Sequence, residues 1–366
     1  MRILHVTKKY PNALGGDAIV VQNLEKQQTK NGHKVFILTT NCDEILNKNN
    51  LIKFGLKDTP SNLDKIGFKR IISLIILRLK ISKILREIKP DVVHCHSVDM
   101  GYVMSKACKK CNVPLINHFH TGLISIKNTD KRRANLERYL IRKSRFNKII
   151  TVNPNDLDYN KYSNLTFIPN AIDLNKFKEA NHKNKVLTFL FVGRIDKLKG
   201  LTYLIEAVNL LDKDKINFKL NIIGDGDDFY FYKDRIEDYG LNTKIGILGS
   251  KFGDDLINYY KSSDAFILPS LDEGFPVSML EAWASKLPVI ITNVGAVSKV
   301  CTNNKDALII PPKNSKAIAD TMIKLIEDKS LRDKLGKNGR KLVEQKYTWE
   351  KVNNQIEKIY QQVLKK

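Results

Sequence analysis

The chain predicts an α/β fold made of two doubly wound, Rossmann-like domains in series. Short apolar, β-branched runs alternate with amphipathic helical stretches along its whole length, the pattern of parallel strands joined by crossover helices. Its 366 residues exceed what one small core serves and suggest two domains. A polar, unpatterned stretch near 171–185, with Asp173-Leu174-Asn175-Lys176 and Asn181-His182-Lys183-Asn184, divides two such series.

In the first series, strands are expected near 2–7, 34–39, 91–95, 114–119, 147–152 and 165–168, with helices such as 17–31 and 97–111 between them. The second begins at Lys185–Val192 and continues through 217–223, 244–248, 264–269, 288–291 and 307–310. A last helix, about 348–364, follows a complete second series and has no strand of its own to cover. It is therefore expected to cross back onto the first domain. The expected domains are 1–170 together with 348–366, and 171–347.

Composition narrows the function. Hydrophobic residues make up 42% of the chain, as in ordinary globular proteins, and no apolar run reaches the ~18 residues that span a bilayer. Met1–Val6 stops at Thr7-Lys8-Lys9, a first strand rather than a secretory leader. Five scattered cysteines fit reduced thiols in the cytoplasm. The net charge of +23 is uneven: residues 1–170 hold 30 Lys and Arg against 13 Asp and Glu, a net +17, leaving +6 for the rest. A one-sided basic field favours an anionic surface. A Lys-rich compositional bias would spread over both halves.

Residues 66–89 carry 13 apolar positions and seven Lys or Arg against Glu87 alone. Lys69, Arg70, Arg78 and Lys80 lie in this segment, which has the profile of an interfacial helix on anionic lipid. A helix packed on the sheet by its apolar face gives the same pattern. Residues 127–148, with Lys131-Arg132-Arg133, add nine basic side chains. The expected setting is cytoplasmic and peripheral at the inner face of the cell membrane, with no nucleic-acid partner.

The most informative stretch is Glu273-Gly274-Phe275-Pro276-Val277-Ser278-Met279-Leu280-Glu281. Two carboxylates stand eight positions apart across a corner that turns into a helix. Pro276 suits a first helical turn, and an uncapped helix start suits a phosphate. Carboxylates on either side suit the hydroxyls of two sugars. An ordinary strand–loop–helix corner would leave the same residues in solvent. Arg194 and Lys199 lie five apart after the strand ending at Val192, where two cations converging would neutralise a diphosphate. Gly15 and Gly16 follow the first strand, and glycines there admit a close backbone approach. His94 and His96, then His118 and His120, straddle two strand ends, each pair on one face. A metal is one use for them; hydrogen bonding to a sugar or phosphate is the simpler one, with His120 reaching farthest. Cys108-Lys109-Lys110-Cys111 lacks a second pair. Asp156-Leu157-Asp158 matches a metal-binding DxD no better than other turns do, so no metal or cofactor is expected.

Together these residues resemble the retaining glycosyltransferases of family 4, with the GT-B fold. The resemblance rests on Gly15-Gly16 with Asn31-Gly32-His33-Lys34-Val35, on Asp91–His96, on Pro114–His120 and on Ile168-Pro169-Asn170-Ala171-Ile172-Asp173. Gly193-Arg194 with Lys199-Gly200 and the Glu273…Glu281 signature complete it. Ala171 stands where the family usually has Gly. The resemblance implies transfer of a sugar from a UDP- or GDP-sugar to a glycan or lipid-linked acceptor, as in capsule, lipopolysaccharide or exopolysaccharide assembly, without a metal. It implies a first domain that reads the acceptor and a second that binds the donor. Arg194 and Lys199 would stabilise the departing diphosphate and Glu281 would bind the ribose. Glu273, with backbone N–H groups around Gly274 and Phe275 ahead of Pro276, would hold the donor sugar. Gly16 would approach the β-phosphate with Gly15 beside it in the donor site, His120 would hydrogen-bond the donor sugar, and Ser250 and Lys251 would flank the base. Attack from the leaving group's side, with a donor phosphate oxygen taking the acceptor's proton, is the usual proposal for the family. Rival readings are a nucleotide-sugar epimerase on the same fold and a non-catalytic carbohydrate- or nucleic-acid-binding protein.

Overall fold

A computed structural model describes residues 1–10, 16–41, 50–53, 80–120, 131–158, 162–177 and 185–365. The chain divides into two compact units, Met1–Pro169 with Trp349–Lys366, and Asn170–Thr348.

The first unit holds a parallel seven-stranded sheet in the order β3-β2-β1-β4-β5-β6-β7. Its strands are β1 (Arg2–Lys9), β2 (Lys34–Asn41), β3 (Leu51–Lys53), β4 (Val92–Cys95), β5 (Leu115–Phe119), β6 (Lys148–Thr151) and β7 (Leu165–Phe167). β4 and β5 are buried at every position, as parallel strands covered on both faces must be. One face packs Leu4, Val93, Leu115 and Ile149 under Met104, Ala107 and Cys108 of the helix Val98–Cys111. Helical residues 80–88 join this core through Ile81, Leu85 and Ile88. The other face carries His5 beside His94, in register on β1 and β4.

The last helix, Trp349–Leu364, belongs to this unit. Val352, Ile356, Ile359, Tyr360 and Val363 form a buried stripe at helical spacing. Glu357 takes His33 Nε2 at 3.2 Å and Asn31 Nδ2 at 3.0 Å, which ties the helix to the turn that ends the helix Gly16–Lys30.

The second unit has a parallel six-stranded sheet in the order β10-β9-β8-β11-β12-β13. These strands are β8 (Thr188–Val192), β9 (Lys219–Ile223), β10 (Ile245–Ile247), β11 (Ala265–Leu268), β12 (Val289–Thr292) and β13 (Leu308–Ile310). Both orders reverse direction after the first strand of the series, between β1 and β4 and between β8 and β11. Ligands of doubly wound sheets bind at the strands' carboxyl ends beside such a reversal.

Candidate active site

The loop after β8 reaches the reversal point of the second sheet. There Asp196 Oδ1 accepts Leu198 N–H at 2.9 Å and Lys199 N–H at 3.2 Å, capping the short turn Lys197–Lys199. Its other oxygen accepts Arg194 Nε–H at 2.5 Å, and the Arg194 side chain is 68% exposed. Lys199 turns the opposite way. Its Nζ lies 2.5 Å from Glu273 Oε1, in the loop after β11, with the two side chains only 20% and 10% exposed. The same oxygen accepts the Ser270 hydroxyl at 2.8 Å. A Lys–Glu pair thus bridges β8 and β11.

Two glycines bring these loops together backbone to backbone. Gly200 has φ 70°, and a Cβ there would meet the Pro269 carbonyl oxygen at 2.0 Å. Leu271 N–H donates to Leu198 O at 2.7 Å beside it. Gly295, after β12, has φ 57°, and a Cβ there would stand 1.8 Å from the Glu273 carbonyl oxygen. Its neighbour Ala296 donates to Gly274 O at 3.0 Å. A side chain at either glycine would push the Glu273 loop off its place.

Pro276 directly precedes the helix Val277–Ala284, and no side chain caps that helix start. Met279, Leu280, Ala282 and Trp283 anchor the helix in the core, and Asn170 Nδ2 holds Phe275 O at 2.8 Å. Glu281, one turn in, is part-buried and accepts Tyr260 O–H at 2.6 Å. Burial pushes its carboxyl up to about 7, against the pull of the tyrosine hydrogen bond. Ser250, exposed, and Lys251, half-buried, follow β10, where Gly249 O accepts Gly224 N–H at 3.0 Å.

The structure therefore gathers Lys199, Glu273 and the 274–276 backbone. It gives Arg194 its own carboxylate partner instead of setting both cations side by side. Asp196, Ser270 and Tyr260 complete the arrangement and escaped the sequence reading: Asp196 and Ser270 are short polar side chains in loops with no periodic signal, and Tyr260 reads as an ordinary core position of the helix Gly253–Lys261.

In the first unit, Gly16 opens the helix Gly16–Lys30, and Gly15 lies outside the described residues. The histidines differ from the expectation that two pairs face a ligand. His94, His96 and His118 are buried, and His5, unnoticed on β1, joins them. His5 Nδ1 lies 2.9 Å from His96 Nε2, and His96 Nδ1 lies 3.1 Å from His120 Nε2. At the far end His5 Nε2 meets Gln28 Oε1 at 2.8 Å, and His94 Nδ1 meets Tyr360 O–H at 2.7 Å. Only His120 is half-exposed among the five. The returning helix meets His94 through Tyr360, and the helix Gly16–Lys30 meets His5 through Gln28. Burial lowers the His5 imidazole to about 4 and holds His94, His96 and His118 well below their usual range. Asp156 is also buried and accepts the Thr151 hydroxyl. Cys108 is buried in the helix Val98–Cys111.

Among the basic residues expected at a membrane, Lys69, Arg70 and Arg78 lie outside the described residues, and Lys80 is exposed. Lys131, Arg132 and Arg133 start the helix Lys131–Lys143, with their side chains outside the description. Farther along it Leu136 and Tyr139 are exposed. No helix among the described residues is long and apolar enough to cross a membrane.

Two family models match the chain in succession: Glycosyltransferase Family 4 over residues 14–176 and Glycosyl transferases group 1 over residues 173–342. The chain belongs to the family 4 glycosyltransferases. An uncharacterized glycosyltransferase of Methanocaldococcus jannaschii is 27% identical to it over 98% of each chain. The UDP-Gal:alpha-D-GlcNAc-diphosphoundecaprenol alpha-1,3-galactosyltransferase of Escherichia coli is 26% identical over 77% of this chain and 78% of its own. Sucrose-phosphate synthase from Thermosynechococcus elongatus superposes with a TM-score of 0.84 at 20% identity, covering 99% of this chain and 98% of its own. That last likeness is one of fold, and the fold is GT-B. This glycosyltransferase thus carries the Lys199–Glu273 and Arg194–Asp196 pairs in the unit matched by the group 1 model.

Proposed function

We propose that this glycosyltransferase moves a sugar, with retention of configuration and without a metal, from a UDP- or GDP-sugar to a glycan or lipid-linked acceptor in bacterial surface polysaccharide synthesis. The observation that carries the reading is the Lys199–Glu273 pair across the β8/β11 reversal, beside an uncapped helix start. Negative charge grows on the diphosphate as the bond from the sugar's anomeric carbon to the leaving oxygen breaks. An ammonium already fixed by Glu273, itself held by Ser270, meets that charge with little reorganisation. Arg194, exposed and held on one edge by Asp196, keeps the rest of its fork for a phosphate. The electron pair leaves with the diphosphate, the acceptor oxygen bonds the same face, and its proton passes to a donor phosphate oxygen.

Glu281 takes the ribose hydroxyls and Glu273 the transferred sugar, with Gly274, Phe275 and Pro276 offering backbone. Ser250 and Lys251 flank the base, Gly16 approaches the β-phosphate with Gly15 as a further donor-binding residue, and His120 hydrogen-bonds the transferred sugar. The first unit reads the acceptor. Exposed Leu136 and Tyr139 on the basic helix Lys131–Lys143, together with the E. coli relative's lipid-linked acceptor, support a lipid-linked one at an anionic membrane surface.

Nucleoside diphosphate release from a panel of nucleotide-sugars tests the reading. The wild type turns over at least one donor, and Lys199→Ala loses a hundredfold or more, about 3 kcal/mol of barrier. Near-normal turnover in that variant removes Lys199 from the mechanism.

A further inference from the structure

His118 is an anomaly of the first unit. It is buried, and neither ring nitrogen has a hydrogen-bond partner among the described residues. A neutral imidazole carries one donor and one lone pair, and each costs roughly 1–3 kcal/mol if left unmet in the interior. A sugar hydrogen-bonded to His120 does not reach this ring's deficit.

A metal ion would. One nitrogen each from His96, His118 and His120 lie within 4.8 Å of one another. Two imidazole nitrogens bound to one tetrahedral zinc at ~2.0–2.1 Å stand roughly 3.3 Å apart. His96 Nδ1 and His120 Nε2 are already 3.1 Å apart, so the pair needs to open by only a few tenths of an ångström.

The surroundings are also built as ligand supports are. With His96 Nδ1 on an ion, its Nε2–H donates to His5 Nδ1 at 2.9 Å, and His5 Nε2–H donates to Gln28 Oε1 at 2.8 Å. Gln28 Nε2 in turn donates to Tyr360 O at 3.3 Å, which fixes the amide's orientation. Every proton then has one place, running from a ligand imidazole to an amide oxygen. Such chains orient metal-bound histidines and raise their basicity.

We propose that His96, His118 and His120 form a three-imidazole site for a divalent late transition ion, Zn²⁺ above all, with a fourth position left to water. Imidazole-only donors suit zinc, cobalt, nickel or copper and not magnesium or calcium. His120, half-exposed, is where the ion enters. The proposed function gives this same imidazole to the transferred sugar. On that reading, and only there, a bound ion withdraws His120 from the donor and Zn²⁺ inhibits turnover.

The test uses the full chain, stripped with a chelator and exchanged into metal-free buffer. Zn²⁺ is titrated by calorimetry and Co²⁺ by visible absorption. One equivalent should bind with micromolar or tighter affinity, with the intense visible bands of four-coordinate cobalt. His118→Phe and His120→Ala should each weaken binding at least tenfold. Thermal unfolding without metal verifies that the variants fold, and the half-exposed His120→Ala serves if His118→Phe does not. No saturable uptake by the wild type, or unchanged affinity in the folded variants, overturns the site. Turnover is measured separately on metal-free protein. Donor turnover without ion binding overturns the site alone, and ion binding without turnover on any donor overturns the enzymatic reading alone.

Discussion

The first sheet gathers five imidazoles beside a Lys8–Asp99 pair, and the second sets ion pairs at its reversal, although both are wound in the same order around the same kind of reversal. On β1, β4 and β5 and directly past the ends of the last two, five histidines stand ring to ring, with His120 alone half-exposed. After β8 and β11 the polar groups sit in loops, as Lys199–Glu273 and Arg194–Asp196. The first arrangement belongs to strands and the residues directly after them, and its geometry is set by sheet register. The second belongs to loops, and its geometry is set by glycines that let those loops touch. One topology thus presents two chemistries, because topology fixes where side chains stand and not which they are.

The largest effect that would break this contrast is Gly295→Ala. The added methyl has no room beside the Glu273 carbonyl, and a backbone neighbour cannot rotate away. The expected cost exceeds about 3 kcal/mol, read as a lower thermal midpoint, with donor turnover falling as Glu273 shifts. A variant as stable and active as the wild type would show that the loops are not locked through this contact.

Acid should act on the first unit. An unfolded histidine titrates near 6.5, whereas burial holds His5 at about 4 despite the Gln28 hydrogen bond and nearby Glu25. Between those values the unfolded chain binds a proton that the folded chain refuses. Stability is therefore fully present above about 6.5 and falls as the pH drops toward 4. His5 alone accounts for about 3 kcal/mol at about 1.4 kcal/mol per unit, and His94, His96 and His118 add to it in the same direction. Urea midpoints across that window check this; a flat profile would contradict a sealed, neutral cluster.

Base should act on the second unit, more weakly. Glu281 is raised from 4.5 to about 7, so its stabilising share is complete below 4.5 and is lost as the pH rises through 7. With partial exposure taken into account this is on the order of 1–2 kcal/mol. Glu281→Gln should raise the thermal midpoint at pH 8 while weakening donor binding. A variant no more stable at pH 8 would mean that the carboxylate is well solvated there.

The sequence made the fold legible because parallel strands buried on both faces read as unbroken apolar runs, as Val92-Val93 and Phe189-Leu190-Phe191 do. Strand β3, three residues at a sheet edge, offered too little periodicity to see. The Glu273…Glu281 spacing and Lys199 stood out because charges cluster there around glycine and proline. What stayed hidden were pairings between distant positions: Lys199 with Glu273, Tyr260 with Glu281, His5 with His96, Tyr360 with His94. Each depends on strand order or on the path of the returning helix, and no local pattern announces it. His5 carried one faint signal, a histidine within the apolar run Ile3–Val6, whose meaning came only from β4 lying beside β1.

We propose that Lys199, held by Glu273 at the second sheet's reversal, grips a diphosphate. Calorimetric titration of UDP and GDP into the full-length wild type and into Lys199→Ala tests it most directly. One equivalent of at least one of them should bind the wild type, and the variant should bind it at least tenfold more weakly. Equal affinity in the two proteins, or no binding of either nucleotide to the wild type, would contradict it.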